Sequence, residues 1–269
     1  MKFDKEFFNL GYLDRLSYKN TFIHNIDARV KVIGAVFYII AVVSFPKYAV
    51  LSLVPFFSFQ IFFMILGEIP VDFVFKRVFV VSPFIFFIAI FNPFLDRNTA
   101  FYLLGIPISY GILSFLSILV KFVLTVSIII ILISTTSFAG LCYAIRYFKV
   151  PEIFVNQLLF MYRYIFVLTE EAMRMVRAKE LRSFNNKGLE LKFYVKLAGN
   201  LLIRSLNRAE RIYYAMLSRG YNGNMPYIKK KKLNFSDFLF ILIMLLTIYL
   251  FRFFEPVDRI GKLMIGVIR

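Results

Sequence analysis

From Ile112 to Ile133 the chain runs 22 residues with one charge, at Lys121, and no other stretch limits the fold as tightly. About 20 apolar residues in a helix match the ~30 Å hydrocarbon core of a bilayer. A helix is also one of the few forms that satisfies every backbone polar group inside lipid. Lys121 must then face protein or water rather than acyl chains. Four more apolar runs accompany this one: Val32 to Phe45, Tyr48 to Leu66, Phe73 to Leu95 and Leu233 to Phe251. With 60% hydrophobic residues and 35 Phe among 269, the chain reads as an all-α polytopic membrane protein. About five transmembrane helices are expected.

Local signals refine each run. Val32 to Phe45 is short for a span, so Arg29 and Lys31 are expected to extend it by snorkelling their charges to the headgroups. Asp27 suits the N-cap ahead of it. The third run carries Lys76 and Arg77 near its start and Pro83 inside it, which predicts a kink. Phe101 to Ile108 is apolar but too short to cross, and is expected to lie along the outer surface. The apolar stretch 150–168 leaves the number of spans open.

The net charge is +17, and residues 137–232 hold 18 Lys and Arg against 6 Asp and Glu. By the positive-inside rule this region and the N-terminus face the cytoplasm of a cell-membrane protein. Five spans then put the C-terminus outside. The first 25 residues lack the apolar core and small-residue cleavage site of a signal peptide, so they are expected to be retained. Three parts follow: 1–136, an N-terminal arm with four spans; 137–232, long cytoplasmic coupling helices; and 233–269, the last span and a tail.

The middle region is helical in pattern. Glu152 to Ser183 reads as one long helix, with Glu170 and Arg174 paired at i,i+4. Asn185-Asn186-Lys187-Gly188 is a turn signal, and a second helix follows from about Leu189 to Arg219. Leu201, Leu202, Leu206, Ala209, Ile212, Tyr213, Met216 and Leu217 recur on it at helical spacing. Arg204, Arg208 and Arg211 form a separate stripe, and Gly220 suits a left-handed C-cap. Each helix ends in a small-residue and arginine signature: Leu181-Arg182-Ser183 on the first, Ser218-Arg219-Gly220 on the second. A planar guanidinium beside a small residue can enter a groove and meet carboxylates or helix-end carbonyls. A basic cytoplasmic face also arises from topology and anionic lipid alone. Nucleic acid fits such a hydropathic chain least.

No catalytic chemistry stands in the sequence. It has no GxxxxGK[ST] loop, no HExxH and no GxSxG elbow, and Gly261-Lys262 lacks the flanking residues of a phosphate loop. His24 is the single histidine and Cys142 the single cysteine, so neither a His-rich metal site nor an internal disulfide can be built. No catalytic, cofactor-binding or metal-binding residue is assigned, and no cofactor is expected.

Arg204-Ser205-Leu206-Asn207-Arg208-Ala209-Glu210-Arg211, followed by Ala215-Met216-Leu217-Ser218-Arg219-Gly220-Tyr221, resembles the signature of the CbiQ/EcfT family. These are the transmembrane components of energy-coupling factor ABC transporters. Asp27-Ala28-Arg29-Val30-Lys31 resembles the family's Asp-Pro-Arg-x-Lys element, with Ala28 at the proline position. Ser134-Thr135-Thr136 through Val150-Pro151, and Tyr162-Arg163-Tyr164, extend the likeness over nearly the whole chain. Leu181 and Ser183 depart from the alanine and glycine common in the first signature. The Arg204–Tyr221 wording is nearer the cobalt/nickel branch.

The resemblance implies a non-catalytic scaffold. Two cytoplasmic ABC ATPases would dock at Leu181, Arg182 and Ser183 and at Ser218, Arg219 and Gly220, with Arg204, Arg208 and Arg211 supporting the second helix. A separate substrate-binding membrane subunit, CbiM-like or an S component, would pack on the apolar bundle. A vitamin-importing relative, a membrane enzyme acting on an anionic substrate, and a self-sufficient permease are the competing readings.

Overall fold

A computed structural model describes residues 16–95, 99–103, 106–182, 191–223 and 233–254. In chain order the helices are α1 (Phe22–Asn25), α2 (Ala28–Val43), α3 (Val54–Leu66, entered through a 3-10 turn at Leu51–Leu53), α4 (Val71–Ala89) and α5 (Asn92–Leu95). A hairpin of β1 (Thr99–Leu103) and β2 (Ile106–Ser109) comes next. Then follow α6 (Tyr110–Thr135), α7 (Phe138–Tyr147), α8 (Glu152–Arg182), α9 (Leu191–Leu217) and α10 (Phe235–Phe254). The chain divides into two compact units: Leu13–Leu141 with Lys231–Arg269, and Met1–Tyr12 with Cys142–Lys230.

The first unit is an apolar bundle around α6, against which α2, α3, α4 and α5 pack, while α10 packs on α2. Among the described residues, three helical stretches are long and apolar enough to cross a membrane: Val71–Phe94, Tyr110–Thr135 and Phe235–Phe253. The first two of the five expected spans are shorter. Each of α2 and the stretch Leu51–Leu66 has 16 residues, about 24 Å of helix. The second begins only at Leu51 because Tyr48–Val50 lie outside helix.

Fitted side chains fill the centre. Tyr38 stacks on Phe59 with ring centroids 5.2 Å apart and meets Phe56 edge-on at 5.6 Å. Its hydroxyl donates to the Phe56 carbonyl at 3.1 Å, so the buried phenol keeps a partner. Phe63 meets Phe240, and Phe56 meets Phe251, which lays α10 along α3. Gly34 admits the Met244 thioether to the α2 backbone: a Cβ there would stand 2.3 Å from Sδ. Close approach at small residues is how helices pack where no water drives them together. Phe75, Phe79, Val80 and Phe84 of α4 point outward, as lipid-facing residues should.

Arg29 and Lys31 do not snorkel. Both are buried, because α2 starts inside a polar knot. The Asp27 carboxylate caps the helix by accepting from the Arg29 amide at 2.8 Å, and grips the Arg29 guanidinium at 2.9 and 3.0 Å. The Asp27 amide donates to Asp237 at the start of α10 at 2.8 Å. Lys31 Nζ donates to the Thr135 carbonyl at the end of α6, 2.8 Å away. Asp27 pairs with Arg29, Asp237 accepts backbone amides and Lys31 donates to backbone carbonyls, so each of these buried charges has hydrogen-bond partners. At the other end of α2, Lys121 Nζ donates to the Phe45 carbonyl at 2.6 Å, and the Arg252 guanidinium lies 4.3 Å from the Phe45 ring. Lys121 thus faces protein, as its place in an apolar run requires.

Where it is described, the stretch 101–108 is strand. β1 and β2 pair antiparallel, Leu103 with Ile106 and Phe101 with Ile108, in an otherwise helical fold. Cross-strand bonds satisfy the backbone of the paired residues in place of helix.

Candidate functional site

The second unit carries the basic helices. Pro151 precedes α8, and Glu152 in its first turn, where an acid complements the helix dipole, is ion-paired with Arg146. Along α8 the side chains Gln157, Phe160, Met161, Tyr164 and Leu168 fall on one face. On α9 the matching face is Ser205, Leu206, Ala209, Ile212, Tyr213 and Met216. A cleft of about 590 Å³ runs between them. Five of the eight apolar positions expected on α9 line it, whereas Leu202 and Leu217 are exposed.

Ties along the pair show that α8 and α9 are antiparallel. Lys179 lies over the Phe193 ring at 4.2 Å, near the end of one and the start of the other. Midway, Glu171 of α8 receives two arginines from α9. Arg204 Nη1 is 3.1 Å from one carboxylate oxygen and Arg208 Nη2 is 3.2 Å from the other. The Glu171 side chain is 16% exposed. At the far end, Asn156 Nδ2 donates to the Gly223 carbonyl at 3.2 Å.

Gly220 closes α9 as its sequence position predicts. It has φ +79°, which a residue without Cβ adopts freely. Its amide donates to Leu217 O at 2.9 Å and the Tyr221 amide to Met216 O at 3.0 Å, the paired bonds of a Schellman cap. Tyr221 and Met216 then meet the same cleft. The cap fixes where Ser218 and Arg219 stand. The Ser218 hydroxyl donates back to Tyr214 O at 2.9 Å, and Arg219 is exposed.

The other signature lies at the end of α8. Leu181 is 80% exposed and Arg182 is exposed, while Ser183 lies outside the described residues. Because the helices are antiparallel, the two signatures are not side by side. From Asn156, which meets the chain just beyond Arg219, to Arg182 is 26 residues of helix, roughly 40 Å. The arginine stripe also divides by role: Arg204 and Arg208 turn to Glu171, whereas Arg211 Nε donates to its own helix at Asn207 O.

Glu171 is the residue that sequence reasoning missed. The i,i+4 pair Glu170–Arg174 was visible within one helix and is present at 3.0 Å on an exposed face. Glu171 points about 100° away from it, toward a partner 33 residues later. A usable signal existed: Arg204 and Arg208 are one turn apart, and Glu210 is the sole acid of α9. Two such arginines on an apolar edge ask for an acid from another helix.

Among the described residues, no group of three His, Cys, Asp or Glu stands ready to hold a metal ion. His24, before α2, has a structural place. Its Nε2 donates to the Leu16 carbonyl at 3.0 Å, which leaves Nδ1 to accept from the Thr21 hydroxyl at 2.7 Å. Burial, then the nearby Lys31 charge, holds its pKa below the ordinary value.

The family model described as CbiQ, cobalt transport protein, matches residues 19–228. An uncharacterised protein of Methanocaldococcus jannaschii is 30% identical over 243 residues, covering 87% of this chain and 82% of its own. The energy-coupling factor transporter transmembrane protein EcfT of Streptococcus equi is 26% identical, over 88% of this chain and 94% of its own. The cobalt transport protein CbiQ of Rhodobacter capsulatus is 31% identical over 101 residues, which is 37% of this chain and 41% of its own.

Proposed function

The chain belongs to the CbiQ family of cobalt transport proteins, and from that premise we propose that it is the transmembrane scaffold of an energy-coupling factor importer in the cell membrane. It has no activity of its own. Two cytoplasmic ABC ATPases dock at the helix ends that carry Arg182 and Arg219. Their ATP-driven motion passes through α8 and α9 to a separate substrate-binding membrane subunit. The observation that carries this reading is the antiparallel pair with an exposed arginine at each far end. Two ATPase subunits need two separate sockets, and ends about 34 Å apart provide them. Cobalt or nickel is the substrate class, in line with the family description.

A second reading keeps the scaffold but changes the cargo. The Streptococcus equi EcfT matches over 94% of its length and the Rhodobacter capsulatus CbiQ over 41%, which favours a transporter of another substrate, such as a vitamin. The test of the shared reading is Arg182→Glu and Arg219→Glu, singly and together. The double variant is expected to lose the ATPase subunits on purification and to abolish uptake. Retention of both by the double variant overturns it. Cobalt and nickel uptake by cells with and without the intact chain separates the two cargo readings.

A further inference from the structure

We propose that Glu171, held by Arg204 and Arg208, is the fulcrum that makes α8 and α9 move as one lever; this rests on the scaffold reading above. The argument begins with charge. The described part of α9 holds Lys192, Lys196, Arg204, Arg208 and Arg211 against Glu210, and α8 carries five basic and four acidic residues. Both helices are positive, so they repel where they lie side by side. The Glu171 carboxylate offsets that repulsion by taking one guanidinium on each oxygen, at 3.1 and 3.2 Å. The charge-assisted hydrogen bond from Arg204 fixes direction as well as distance, and the Arg208 ion pair adds charge at the other oxygen.

Position gives the pair its role. Glu171 is 11 residues, about 17 Å, from the exposed Arg182, and on α9 Arg208 is 11 residues from Arg219. The clamp therefore stands midway between the two ends. Toward Arg219 the shared face borders an open cleft of about 590 Å³, and Lys179 over Phe193 and Asn156 on Gly223 are the ties at its two ends. An apolar cleft lets the helices roll on each other. The paired arginines at Glu171 do not. Displacement of either end is carried to the other helix at this point. Glu171 is a positioning residue, since it acts through the arginines and touches no substrate.

The test uses the full-length chain with Cys142→Ser, Ala178→Cys and Ala215→Cys, spin-labelled for a distance distribution between α8 and α9. Glu171→Gln is expected to broaden a narrow distribution. The charge exchange of Glu171→Arg with Arg204→Glu and Arg208→Glu is expected to restore it. In vesicles holding the whole transporter, Glu171→Gln should keep the ATPase subunits and ATP hydrolysis, while cobalt uptake per ATP falls about tenfold, within the range of site-to-site coupling. Arg204→Gln with Arg208→Gln should do the same, and serves if Glu171→Gln does not fold. An unchanged distribution, unchanged uptake per ATP, or no recovery on charge exchange overturns the fulcrum. If the unaltered chain retains no ATPase, the scaffold reading fails instead, and the distance measurement still decides the clamp.

Discussion

Single side chains differ sharply in what they hold, and burial sets the difference. Asp27 and Arg29 are buried against each other, with the acid also capping α2. Asp27→Asn leaves a buried guanidinium without its countercharge. It should cost about 3 kcal/mol and lower the thermal midpoint in detergent. Arg174→Ala breaks an exposed pair with Glu170 and should shift the same midpoint by at most about 0.5 kcal/mol. His24 adds a pH dependence. Its folded pKa lies below the ordinary 6.5, so the unfolded chain binds its proton first. Stability from this group is complete above about pH 6.5 and falls as the pH drops toward the folded value. Thermal unfolding between about pH 7.5 and 5 should show that slope, and His24→Gln should flatten it.

At the scale of elements, helix ends are where the proposed docking residues stand. The Gly220 cap ends α9 and fixes the exposed signature just before it. Gly220→Val forces a Cβ-branched side chain into left-handed backbone, at about 1–2 kcal/mol. Nothing lies within 4 Å of a Cβ there, so backbone strain is the expected cause of any loss. Amide hydrogen exchange should rise in the last turn of α9 and leave α8 unchanged. The ends of α2 follow a related rule inside the bundle. Asp27 satisfies the Arg29 amide in the first turn, and Lys121 meets the Val43 carbonyl and that of Phe45 just beyond from the middle of α6. A 16-residue helix can end within the bundle because that lysine meets carbonyls at its end.

At the scale of the molecule, separation governs how variants combine. Arg182 and Arg219 stand about 34 Å apart along an antiparallel pair, too far to share a partner side chain. Arg182→Glu and Arg219→Glu should each weaken one ATPase contact. Their effects on affinity should add within about 0.5 kcal/mol. Titration of purified ATPase onto the detergent-solubilised chain and its single and double variants checks this. A deficit in the double variant well beyond the sum would show that one subunit bridges both ends.

Much of the architecture was legible in order along the chain, because helix length, apolar runs, caps and breakers are local. The Ile112–Ile133 run, the Asp27 N-cap, the Gly220 C-cap and the long helix from Glu152 all appear in the structure where those signals put them. Signals that depend on neighbours were not legible. Arg29 and Lys31 read as snorkelling cations because their sequence neighbours are apolar, and only packing brings Thr135 to Lys31 and Asp237 to the Asp27 amide. Glu171 read as one more charge on a basic helix until α9 was laid antiparallel to it. The sequence by itself determined a helical membrane chain with two arginine-tipped helices, since periodicity and hydropathy are properties of consecutive residues. Only the tertiary structure decided that those tips lie at opposite ends of one clamped pair, since the direction in which two helices pack is set by contacts distant in the chain.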